Sequence, residues 1–161
     1  MLFHVSIAAD DPKRTAEMIA ELWRGRAYPF PPVAKGSWVA MAGDDRNSTI
    51  ECYPRGTVLF EGEGENEPEA RNLGEAAPRN GASHAAIATP LSLDEVKAIA
   101  ARYGVSAKLL SRGGIFHVIE LWVDGAFLFE VLTPEYQAEY RRINCDNWEE
   151  MLARGRPPVA A

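Results

Sequence analysis

HVSIAADDPKRTAEMIA, residues 4–20, and HAAIATPLSLDEVKAIA, residues 84–100, are two copies of one pattern. At an offset of 80 they share five of 17 residues: His4/His84, Ile7/Ile87, Ala8/Ala88, Ile19/Ile99 and Ala20/Ala100. Average residue usage would give about one identity by chance. Each copy opens with a short alternating stretch and continues into a helical one. Ala16, Ile19, Ala20 and Trp23 stand at i, i+3, i+4 and i+7, as do Val96, Ile99, Ala100 and Tyr103, so both helices bury equivalent faces. Asp11 with Pro12, and the Ser92-x-x-Glu95 capping box, mark the helix starts. Gly25 and Gly104 stand where C-terminal caps belong.

Outward from these stretches, strand-like segments follow at Ser37 to Met41 and Ser48 to Tyr53 in the first half. In the second half they lie at Val105 to Leu110, Ile115 to Val123 and Ala126 to Leu132. The missing strand of the first half falls in Tyr28 to Val33, where three prolines remove ladder donors and permit only an edge or irregular segment. Glu61 to Gly81, rich in Glu, Gly, Asn and Pro, reads as a linker. Glu135 to Leu152 has helical character, with Tyr136, Tyr140, Ile143 and Trp148 as packing residues, before a frayed tail.

The expected fold is therefore α+β, a single domain of residues 1–161. Its parts are module one (about 1–60), a linker (about 61–81), module two (about 82–133) and a C-terminal helix and tail (about 134–161).

The 23 acidic and 17 basic residues leave a charge of −6, so nucleic acid is not an expected partner. The N-terminus lacks a signal-peptide pattern and no apolar run approaches a membrane span, which points to a cytoplasmic protein with a small-molecule substrate. Cys52 and Cys145 lie far apart without a Cys-x-x-Cys pair and read as reduced thiols.

The chemistry-bearing residues repeat too. His4 precedes Glu51 by 47 residues, and His84 precedes Glu130 by 46. Strand alternation puts His4 with Ser6 and Ala8, and His84 with Ala86 and Ala88, away from Val5, Ile7, Ala85 and Ile87. Glu130 lies between Phe129 and Val131, where an unpaired carboxylate is costly. Two imidazoles and two carboxylates suit one divalent ion such as nickel, zinc, manganese, cobalt or iron. If Asp124-Gly125 is a two-residue hairpin turn, cross-strand pairs sum to 249, which sets Ile119 opposite Glu130 and turns His117 toward the same cleft. Trp38, the equivalent of His117 in the first half, would give that cleft an aromatic wall.

FHVSIAA with His4, TIECY with Glu51, SHAAIA with His84 and FLFEVL with Glu130, in a paired βαβββ pattern, resemble the vicinal oxygen chelate superfamily over roughly residues 2–133. That superfamily includes glyoxalases, methylmalonyl-CoA epimerase, extradiol dioxygenases, fosfomycin-resistance proteins and bleomycin-binding proteins. The resemblance implies two modules forming a U-shaped mixed sheet around a metal-containing cleft, with His4, Glu51, His84 and Glu130 as ligands. The ligand set is most similar to that of bacterial glyoxalase. By that likeness the chain is a lyase or isomerase acting through a metal-stabilised enediolate, Glu130 being the proton shuttle and Glu51 its pseudo-symmetric partner. An extradiol dioxygenase using His4, His84 and Glu130 with His117 as acid/base is the alternative. A non-catalytic binding or drug-sequestering protein is another. Pairing of modules within one chain and across a homodimer both remain compatible with the sequence.

Overall fold

The duplication read from the sequence is a duplication of topology. A computed structural model describes residues 3–30, 34–45, 47–60, 69–74, 79, 83–112 and 114–142. Module one contains β1 (His4–Ala9), α1 (Pro12–Trp23), β2 (Arg26–Pro29), β3 (Trp38–Met41) and β4 (Thr49–Pro54). After β5 (Thr57–Phe60) and β6 (Glu69–Asn72), module two follows with β7 (His84–Ala88), α2 (Leu93–Tyr103), β8 (Ala107–Arg112), β9 (Phe116–Val123) and β10 (Phe127–Leu132). The last described helix is α3 (Pro134–Tyr140). The two four-stranded sheets have orders β1-β4-β3-β2 and β7-β10-β9-β8. In each, the first strand lies parallel to the last, which requires the intervening helix and strands as a crossover.

The helix signals act locally as expected. The Asp11 side chain accepts from the Arg14 N–H, and Ser92 and Glu95 form the capping box. Gly104 closes α2 at φ 69°. At the end of α1 the left-handed residue is Arg24 rather than Gly25. Gly25 serves another need, since a Cβ there would stand 2.0 Å from the Met41 carbonyl oxygen of β3.

β2 is the edge strand that the prolines allow, ending at Pro29. The reading of residues 61–81 as linker alone needs correction, because Glu69–Asn72 pairs with β5 as a hairpin. That pairing depends on β5, and β6 has too little hydrophobic alternation to announce itself. α3 begins on the Thr133 cap with Tyr136 buried and ends at Tyr140; the rest of the anticipated helix, with Ile143, Trp148 and Cys145, lies outside the described residues. Among the described residues no helix is long and apolar enough to cross a membrane.

One apolar cluster joins both modules, with Ile7, Ile19, Leu22 and Ile50 from the first and Ile87, Val96, Ile119, Phe129 and Val131 from the second. Each such side chain contributes about 1.5–3 kcal/mol through burial. α1 packs on its own sheet and on α2. Glu21 receives the Tyr103 hydroxyl at 2.7 Å and pairs with Arg102, while Arg24 stands 3.5 Å from Glu95. The buried Thr89 hydroxyl donates to the Leu22 carbonyl. At another point of the seam, Asp124 accepts from the Asp10 N–H at 2.7 Å and from Arg55 at 2.9 Å. The modules are thus joined through their helices and strand ends, and β1 and β7 each stand at the edge of their sheet.

Candidate functional site

Register turns the repeated residues into repeated geometry. His4 pairs with Thr49 and Ser6 with Glu51; in module two His84 pairs with Leu128 and Ala86 with Glu130. In both modules, therefore, the glutamate stands two residues beyond the histidine's partner, on the same face of adjacent parallel strands. Ile7, Cys52, Ile87 and Val131 occupy the opposite face and enter the core. His4 and His84 are exposed.

The carboxylates are held differently. Glu51 Oε2 accepts from the Ser6 hydroxyl at 2.8 Å and the Tyr53 hydroxyl at 2.5 Å. Burial, and after it the hydrogen bond to Glu51, pushes the Tyr53 phenol above its ordinary pKa. Glu130, only 6% exposed, has its Oε1 clamped by Arg112, with Nε at 2.9 Å and Nη2 at 2.5 Å. The same Nη2 reaches Glu120 at 2.7 Å, and the Trp122 indole donates to Glu120 at 3.1 Å. Burial works against ionisation of Glu120, but the Arg112 and Trp122 hydrogen bonds and the charges of Arg112 and Lys108 outweigh it and hold its pKa below the usual value. The anticipated cost of burying Glu130 is met by this guanidinium.

Arg112 and Glu120 escaped the sequence reading because of the β9–β10 register. Asp124 and Gly125 do adopt left-handed φ values of 52° and 63°, but pairing resumes at Phe127 with Val123. Ala126 is an extra residue, and pairs sum to 250 rather than 249. Glu130 therefore faces Glu120, and His117 lies on the other side of the sheet. There its Nδ1 is 2.9 Å from Glu139 of α3 and its ring is 5.8 Å from that of Tyr136. Trp38 is likewise turned to the helix side, in register with Cys52, with Lys13 of α1 5.3 Å from its ring. Neither residue lines the face that carries the histidine–glutamate pairs. The signal that could have found the cluster is the alternation Lys108, Arg112, Glu120, Glu130, once the bulge is allowed.

Among the described residues no group of three or more His, Cys, Asp and Glu side chains is placed to hold one metal ion. The chain brings His4 beside Glu51 and His84 beside Glu130, and does not bring the two pairs into one group. The donor chemistry of each pair, one imidazole and one carboxylate on one face, fits half of a divalent site. Cys52 is no candidate: burial, with Asp124's charge second, pushes its thiol up to about 12.

A crevice of about 550 Å³ opens between the edges of the sheets. His4, Trp23 and Thr49 line it from module one, and Ala86, Thr89 and Gln137 from the other side. That volume suits a small molecule.

No family model and no curated protein matches the sequence. Solved structures do match the fold. A fosfomycin resistance protein FosX from Listeria monocytogenes, complexed with Mn(II) and 1S,2S-dihydroxypropylphosphonic acid, aligns with TM-score 0.54 at 14% identity, covering 89% of this chain and 98% of that one. The trypanothione-dependent glyoxalase I of Leishmania major aligns with TM-score 0.50 at 14% identity over 96% and 97%. FosX from Mesorhizobium loti gives 0.50 at 13% identity over 81% and 89%. With two modules of one topology and these structural neighbours, the chain shares the fold of these fosfomycin resistance and glyoxalase I proteins.

Proposed function

We propose that this protein is a metal-dependent lyase or isomerase of glyoxalase or epimerase type, acting on a small substrate with adjacent oxygens. The observation that carries the proposal is the identical strand register of His4 with Glu51 and of His84 with Glu130. The two pairs are separate within a chain, so the centre is completed between two copies, His4 and Glu51 of one meeting His84 and Glu130 of the other. A divalent ion there would supply Lewis-acid stabilisation of charge developing on the substrate oxygens. Glu130 moves the proton at the reacting carbon, as a carboxylate within reach of that atom can. Ser6 and Tyr53 hold Glu51 through one oxygen and fix its orientation.

Two measurements test this. Elemental analysis of protein purified without chelators is expected to find about one divalent ion per chain, lost in His84→Ala. Metal-loaded protein given hemithioacetals and α-chiral acyl thioesters in D₂O is expected to catalyse exchange at the α-carbon, followed by NMR. Absence of bound metal, or exchange indifferent to metal removal, refutes the proposal.

One observation favours a second reading, a metal-free binding protein: Arg112 already neutralises Glu130. Ligand-induced thermal shifts unchanged by chelation would select it.

A further inference from the structure

Each glutamate of the two histidine–glutamate pairs is tied through a single oxygen. Ser6 and Tyr53 both donate to Oε2 of Glu51, and Arg112 donates from Nε and Nη2 to Oε1 of Glu130. Among the described residues no hydrogen bond reaches Glu130 Oε2, and the one fully buried side-chain polar atom without a partner is Ser37 Oγ, so Glu130 Oε2 is open to solvent. The strand order β7-β10-β9-β8 sets Glu130 between β7 on one flank and the β8–β9 hairpin on the other. Arg112 comes from the hairpin flank, while the β7 flank carries only the small Ala86 in register with Glu130.

The guanidinium is itself braced. Arg112 stands in register with Phe116, four residues along β9 from Glu120, yet its Nη2 lies 2.7 Å from Glu120 Oε1. The other oxygen of Glu120 accepts the Trp122 indole N–H. Arg112, Glu120 and Glu130 are 19%, 13% and 8% exposed, so water competes weakly for these bonds. Neutralising Glu130 does not call for Glu120, which adds a like charge directly across β9–β10 from it. A fork that engages one oxygen twice, held by a second carboxylate that is held in turn, fixes an orientation.

We propose that Arg112 is a positioning residue for proton transfer: braced by Glu120 and Trp122, it pins Glu130 by Oε1 and presents Oε2 to the α-carbon of the substrate. This rests on the proposed role of Glu130 in moving that proton. In the step the α C–H bond breaks, Oε2 takes the proton and the electron pair stays on the substrate; return of the proton to carbon restores the carboxylate. Arg112 stays on Oε1 throughout and acts only through Glu130.

Two readouts test the role. Nitrogen-15 NMR of the metal-free protein is expected to show an Arg112 Nε–H that exchanges slowly with water, and about tenfold faster in Glu130→Gln, whose neutral amide is the weaker acceptor. Hydrogen exchange at the α-carbon in D₂O is then followed with Zn(II)-loaded protein, using the hemithioacetal of phenylglyoxal with 2-mercaptoethanol and an α-methyl acyl thioester. Arg112→Lys, which keeps the charge and loses the fork, is expected to lower kcat about tenfold and Arg112→Met about 100-fold, with KM within about twofold. In the Glu130→Gln background neither is expected to lower kcat further by more than about twofold, because residues acting as a unit are not additive. Charge balance alone would leave Arg112→Lys at the wild-type kcat. Circular dichroism checks folding, and the lysine variant carries the kinetic test if the methionine variant is unfolded. A fast-exchanging Nε–H in wild type, an unchanged kcat in Arg112→Lys, or additive losses in the double variants overturns the positioning role and leaves the proposed function standing. A wild type that exchanges neither substrate overturns the proposed function and the positioning role with it.

Discussion

Mixing His4→Ala chains with His84→Ala chains is expected to restore metal sites that neither variant holds alone. Each proposed site takes one His–Glu pair from each copy, because among the described residues of one chain no three of these side chains form a group that could hold an ion. A twofold assembly then holds two equivalent sites. In pure His4→Ala every site lacks one imidazole, and the same is true of pure His84→Ala. In a mixed pair the two losses fall on the same site, and the other site keeps both imidazoles and both carboxylates. Random re-pairing places about half of the chains in mixed pairs, so about one quarter of the wild-type metal content returns. The assay is to dissociate and reassociate the two variants together, remove loosely held ions, and measure metal by elemental analysis, with native mass spectrometry to count mixed pairs. Mixed pairs that form and hold no more metal than either parent refute donation across chains.

Other consequences are simpler to check. Glu130→Gln is expected to retain metal and to lower turnover about 100-fold to 10,000-fold, the range for losing a general acid–base group, and unchanged turnover rejects that role. Thr89→Val removes the hydroxyl that donates to the Leu22 carbonyl and accepts the Leu91 N–H. Leaving such buried groups unpaired costs about 1–3 kcal/mol, read as a lower urea midpoint. The carboxyl of Asp10 is held below its usual 3.8 by hydrogen bonds from Arg79 and then Arg55. A depressed folded pKa means stabilisation present above the unfolded value and lost as pH falls through the folded one. Asp10→Asn is therefore expected to flatten the fall in stability below about pH 4 in urea titrations at successive pH values.

The sequence by itself determined the duplicated βαβββ order, the faces of α1 and α2, their N-terminal caps and the Gly104 cap of α2, and the equivalence of His4 with His84 and Glu51 with Glu130. These were legible because helix period, strand alternation and capping act within a few residues, and a repeat shows each of them twice. Tertiary structure alone decided that Ala126 is an extra residue, which turns His117 toward Glu139 and sets Glu120 against Glu130. It also decided that Arg112 spans β9 to join them, that Glu69–Asn72 becomes a strand, and that the modules meet through α1 and α2. Each of these depends on groups distant along the chain, and a one-residue change of register inverts every face after it. Local patterns carry no record of that choice, which is made where the packed elements meet.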